Sequence, residues 1–121
     1  MRTEQELLNL RPNIATAPTT SSPEEGFQNE VLRPILKYQH DLLIKVMLGQ
    51  KNYQRGLSSV NGQKEQLDYT RHYIQQNKTL RHIFIGIVLG IMTEKELYFY
   101  FNFQKVLNKR ILDMIAVRLT S

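Results

Sequence analysis

Histidines and carboxylates are the side chains through which this chain could do chemistry, because it contains no cysteine. That absence rules out a disulfide framework, a thiolate zinc site and a cysteine nucleophile. The three histidines are His40, His72 and His82, and no two of them stand at the i,i+4 spacing of an HExxH metal helix. His40 and Asp41 are neighbours, which on a helix point about 100° apart. A metal site would need ligands converging from separate elements and an ordered shell behind them. Three ordinary surface or boundary histidines account for the pattern as well. Beyond residue 30 the carboxylates are Asp41, Glu65, Asp68, Glu94, Glu96 and Asp113. Glu65, Asp68 and His72 fall at i, i+3 and i+7, an acid–acid–base line, but a solvated helix face reads the same way. A phosphate-cradling glycine loop, a serine elbow and a triad signature are all missing. The expectation is a protein that is not an enzyme, with no catalytic residues, no metal and no cofactor.

Binding chemistry has more to work with. Residues 1–30 hold two arginines against five glutamates, a net −3, while the remainder carries +8. A basic body attracts polyanions. Lys51, Arg55, Lys64, Arg71, Lys78 and Arg81 are the candidate polyanion patch, and Tyr53, Tyr69 and Tyr73 could stack single-stranded bases beside it. Nucleic acid is therefore one candidate partner. A helix-turn-helix can be laid over 81–100, with Gly86 in the first helix and Gly90 near the turn. It fails at the second helix, TEKELYFYF, which is acidic and then aromatic where a major-groove helix presents Arg, Lys, Asn or Gln. That same segment suggests the other class of partner. YFYF (98–101) with Phe103 sets aromatics around a whole helix, more than one core face requires, and surplus aromatics mark interfaces. Tyr98, Phe99, Tyr100 and Phe103 are the candidate interface residues, with a homodimer as the simplest assembly. The competing account is that the core of a small domain consumes all of them.

These residues must be positioned by a scaffold, and its most apolar stretch is TLRHIFIGIVLGIMT (79–93). Leu80, Ile83, Phe84, Ile87, Val88 and Ile91 follow helical spacing, and Ile85 and Leu89 make the opposite side apolar too. The pattern predicts a central helix over about 79–90, wrapped by neighbours on nearly every side, with Ile87 in the core. Gly86 and Gly90 form a flat strip for close helix approach, and Gly90 suits a left-handed terminating position. A buried strand has a similar composition, but strands average about 5–6 residues, which favours the helix. A membrane span needs about 20 apolar residues, and this run is shorter.

Around it the elements follow from local signals. Residues 3–10 make a helix too short to stand unless it docks, and 13–23 read as a linker or extended arm. Ser22–Pro23–Glu24–Glu25 starts a helix that must kink or restart at Pro34. From there Ile35, Leu36, Leu42, Leu43, Val46 and Met47 line one face, ending at Gly49 or, preferably, Gly56. Gln39 lies within that face and needs a partner, for which a carbonyl freed by Pro34 is available. Ser58 or Ser59 caps a peripheral helix to about Asn77, and Asn77 or Thr79 caps the central one. Thr93 and Glu96 form a capping box. Asn102 marks a break, and Leu107, Ile111, Met114, Ile115 and Leu119 face inward from the last helix.

The chain thus divides into an acidic, partly disordered N-terminal arm, 1–22, and a single helical domain, 23–121. The expected fold is all-α, a compact bundle of five or six helices with a flexible arm. The polar N-terminus lacks the apolar core of a secretion signal, so a cytoplasmic location is expected, with no membrane association. LRPILKYQHDLL (32–43), GIVLGIMTEKELYFY (86–100) and LNKRILDMIAVRL (107–119) resemble a family of short, uncharacterised bacterial helical proteins sometimes labelled glyoxalases. The resemblance covers most of 25–120 and implies a fold without implying chemistry. Metal-dependent glyoxalases have βαβββ modules with histidine and glutamate ligands, and this chain offers neither the strands nor the ligand set. Taken together, the residues point to a non-catalytic interaction or regulatory module that self-associates, with sequence-tolerant nucleic-acid binding as the alternative.

Overall fold

The computed structural model describes residues 2–12 and 22–121, and every regular element among them is helical. The elements are α1 (Glu4–Asn9), α2 (Pro23–Phe27), a π-helical turn (Gln28–Leu32), α3 (Arg33–Tyr38), α4 (His40–Leu48), α5 (Tyr53–Ser58), α6 (Gln63–Gln75), α7 (Lys78–Leu89), α8 (Glu94–Asn102) and α9 (Gln104–Thr120). The all-α bundle expected from the pattern is the one that forms. It has more and shorter helices than expected, because the long stretch after Pro34 breaks twice. Of the linker or extended arm assigned to 13–23, residues 13–21 lie outside the described residues, and Ser22 and Pro23 begin α2.

Local chemistry explains most boundaries. Ser22 Oγ accepts the Glu25 amide at 3.1 Å and so caps α2. Pro34 has no amide to give, and its ring would meet the Glu30 carbonyl. The chain absorbs this without restarting: it widens by a residue, and the Arg33 amide reaches back five positions to Gln28 O. Gln39 then interrupts the rod. Its side-chain Nε2 donates to Ile87 O at 3.0 Å, so its partner lies across the interface in α7 and not at Pro34. α4 ends at Gly49, and Gly56 sits inside α5, where it was expected to be a terminator. Ser58 and Ser59 do not cap α6. Their hydroxyls donate back to Arg55 O and Gly56 O, and Gly62, at φ +93°, precedes α6 instead.

The hub of the bundle is α9. Its Leu107, Ile111, Ile115 and Ala116 are fully buried, and it packs against α4, α6, α7 and α8. This corrects the expectation for α7. Of the two cap candidates, Asn77 and Thr79, it is Asn77 that caps α7, Oδ1 accepting the Leu80 amide at 3.0 Å. Leu80, Phe84 and Val88 are then buried along one stripe, but Ile83 is 42% exposed and Ile87 only half-buried. A Cβ added at Gly86 would meet nothing within 4 Å, so no helix uses the glycine strip. Gly90 has φ −60°, an ordinary right-handed value.

Part of the N-terminal arm docks on this body. Leu7 of α1 is buried, and Arg11 reaches the start of α8. Residues 1–22 hold two arginines and two glutamates, so the acidic excess belongs to α2 and its π turn and not to the arm.

Candidate functional site

Of the candidate groups of residues, the one held most firmly in place is on α8. Thr93 Oγ1 accepts the Glu96 amide at 3.2 Å, and Glu96 Oε1 accepts the Thr93 amide at 2.9 Å, which completes the capping box. Both Glu96 oxygens also take Arg11 guanidinium protons at 2.6 Å. Arg11 Nη2 gives a further bond to Ile91 O at 2.8 Å, while Nε is buried without a partner. Burial pushes the Glu96 carboxyl upward. The Arg11 ion pair and the Thr93 hydrogen bonds outweigh that, and the net effect holds it below the ordinary value. The start of α8 is therefore clamped to α1.

From that fixed start, helical geometry distributes the aromatics. Tyr100 points inward, 1% exposed, and its hydroxyl bonds Asn108. Phe99 stacks on Phe27 and tilts against Phe103, each pair with centroids 4.7 Å apart. Tyr98 is left 75% exposed and Phe101 60% exposed. Of the four candidate interface residues, then, Tyr100 is core, Phe99 and Phe103 are half-buried against it, and Tyr98 alone faces solvent. Phe101 was not among them, although it stands three residues after Tyr98 and so shares its face.

The candidate polyanion residues divide into exposed cations and cations already engaged within the fold. Lys51, Arg55, Lys64 and Lys78 are exposed on the α4–α5 turn, α5, α6 and α7, with no ion pair among the described residues. Arg71 is engaged by Asp113 at 2.7 Å and lies 4.0 Å from Asp68. Arg81 Nη1 donates to Ile74 O and Gln75 O, which closes the end of α6. Of the three tyrosines, Tyr53 is buried, while Tyr69 and Tyr73 are half-buried and line a hollow with His72. Tyr53 is 3% exposed and bonds Thr70 Oγ1. Tyr69 and Tyr73 pack on its ring at 5.7 and 5.2 Å, their hydroxyls donating to Tyr53 O and Lys51 O.

Two hollows flank α9 instead. One, of about 190 Å³, is lined by Arg71, Ile74, Arg81, Lys109 and Leu112, and the other, of about 470 Å³, by Arg33, Leu36, His40, Met114, Val117 and Arg118. Asp113 borders both. Arg33, His40, Lys109 and Arg118 were not singled out as a patch, since they come from three elements distant in sequence and nothing in a linear pattern joins them.

The histidines stay apart in role. His72 and His82 are exposed, and His40 is half-buried with an unpartnered Nδ1. Glu65, Asp68 and His72 lie on the outer face of α6. No three histidine or carboxylate groups gather in a metal-holding cluster among the described residues, and no helix there is long and apolar enough to cross a membrane. Compared with known proteins, the chain matches no family profile, no curated protein and no solved structure.

Proposed function

We propose that this chain is a protein-interaction module that acts by binding and pairs with a second copy of itself through the outer face of α8. The observation that carries the proposal is the exposure of Tyr98 and Phe101, two large side chains three residues apart on a helix whose inner aromatics are already packed. Exposed aromatics of this kind are costly to leave in water and supply much of the energy of interfaces. The face is also self-complementary. Glu94 is exposed at its N-terminal end, and Lys105 and Val106 are exposed just past its C-terminal end. An antiparallel pairing about a two-fold axis sets the rings against each other and brings each Glu94 toward the partner's basic end. Support for a protein partner over a nucleic acid comes from Tyr53, which is buried and bonded to Thr70, and from Arg71 and Arg81, which are engaged within the fold.

Sedimentation velocity of the wild type and of Tyr98→Ser/Phe101→Ser tests this reading. The wild type should sediment as a dimer at about 100 μM, and the variant as a monomer with an unchanged melting curve, since both side chains are mostly solvated. A wild type that remains monomeric at that concentration overturns self-association.

A further inference from the structure

The two hollows beside α9 are built from residues that the α8 pairing does not use. They lie on different flanks of α9 and share Asp113 on their borders, so the wider one, between α9 and the α3–α4 pair, is the trough that matters here. Its α9 wall, from Asp113 to Ser121, rises about 12 Å, the length of about two turns of a facing helix. Leu36, Met114 and Val117 line it beside Arg33, His40 and Arg118. Asp113 is the acid on its border, and Arg71 already holds it at 2.7 Å. Arg33 and Arg118 make no ion pair among the described residues. Arg33 gives only its Nε, to Asn29. His40 contributes a buried Nδ1 that meets no partner.

From this we infer that the trough is a docking site for an acidic amphipathic segment of a partner protein, about two helical turns long. Apolar side chains at i, i+4 and i+7 lie on the Leu36–Met114–Val117 floor, and flanking carboxylates meet Arg33 and Arg118. Charge complementarity selects the occupant. A guanidinium with no internal partner is matched by a carboxylate in a bidentate pair, and an apolar floor is matched by aliphatic side chains. A nucleic acid satisfies only the arginines. It would leave the floor uncovered, and the trough's ring is the half-buried His40 rather than an open aromatic platform.

The test uses the full chain as bait for a displayed library of random 12-residue helical peptides. A selected peptide and a 20-nucleotide deoxythymidine oligomer are then compared by fluorescence polarisation. Selected peptides should be rich in Asp and Glu, with apolar residues at i, i+4 and i+7. Arg33→Glu/Arg118→Glu should weaken binding about tenfold for each guanidinium lost. Tyr98→Ser/Phe101→Ser should bind as the wild type does, which keeps this result separate from the dimer question. Should the double arginine variant fail to fold, a peptide titration of the unaltered protein followed by amide chemical shifts gives the same answer. Shifts must then concentrate at Arg33, His40, Val117 and Arg118. The inference is overturned if no peptide is selected, if the peptides lack an acidic bias, if binding ignores the charge reversal, or if the oligomer binds more tightly through the same arginines.

Discussion

The same substitution at two helical glycines should move stability in opposite directions. A Cβ at Gly56 would lie 2.0 Å from Tyr69 Oη and 2.5 Å from its Cζ, so the ring has to leave its place. In leaving, Tyr69 loses a hydrogen bond to Tyr53 O at 3.2 Å and a stack on Tyr53 at 5.7 Å. The bond is worth about 1 kcal/mol and the stack about 0.5–1.5 kcal/mol. Replacing glycine by alanine within a helix returns about 1 kcal/mol, so Gly56→Ala should be destabilised by about 0.5–1.5 kcal/mol. At Gly86 nothing stands within 4 Å of the new methyl, and the residue is exposed inside α7. There the alanine gain of about 1 kcal/mol stands unopposed. The two variants should therefore differ by about 2 kcal/mol, or about 8 °C in melting temperature for a domain of this size. Circular-dichroism melts and urea titrations measure this directly. A cycle with Tyr69→Ala isolates the cause, because Gly56→Ala should become stabilising once the ring is gone. A Gly56→Ala protein that melts at or above the wild type refutes the placement of Tyr69 over α5. A Gly86→Ala protein that melts lower shows that the outer face of α7 is covered.

Two further outcomes follow from the core and from the clamp on α8. Phe84 is fully buried and Ile83 is 42% exposed, so Phe84→Ala should cost about 3–5 kcal/mol and Ile83→Ala under about 1 kcal/mol. Similar losses in urea unfolding would mean that α7 is enclosed after all. The Glu96 carboxyl is held below its ordinary value, 4.5, so the folded state favours its ionised form. That stability is complete above the unfolded value and is lost as pH falls through the lower folded one. Wild-type stability should therefore fall more steeply than that of Glu96→Gln as pH drops below about 4.5, as read by urea titration at stepped pH. Parallel slopes would refute the role of the Arg11 pair.

What could be read in advance was what is decided within one helical turn. The Ser22, Asn77 and Thr93 caps, the Thr93–Glu96 box and the break near Asn102 need only neighbours three residues away, and all appear as the sequence indicates. The misplacements share a different cause. Gly56 reads as a terminator by type, but it lies inside a helix because a tyrosine thirteen residues on covers it. Gln39 was assigned a carbonyl near Pro34 because that orphan is local, while its partner is forty-eight residues away. The candidate sites divide in the same way. Tyr98 and Phe101 follow from the turn of one helix, whereas Arg33 and Arg118 converge only once α3 and α9 are packed.

The exchange of roles between α7 and α9 bears on function most directly. Hydropathy alone puts α7 at the centre, and α9 carries Lys105, Lys109, Arg110, Asp113 and Arg118 along its length. Yet α9 packs against α4, α6, α7 and α8, because its 17 residues bury one stripe, Leu107, Ile111, Ile115 and Ala116, and leave Lys105, Lys109 and Asp113 exposed. A helix apolar on all sides has no such division, so whatever its neighbours leave uncovered stays apolar at the surface, as at Ile83. Of the apolar surplus that marks α7 and α8 in the sequence, Ile85, Ile87, Leu89, Leu97, Phe99 and Phe103 pack against the core, and Ile83, Tyr98 and Phe101 stay exposed. What stays exposed is surface that the neighbouring helices do not cover, and for α8 it falls on the two rings proposed to meet a second copy.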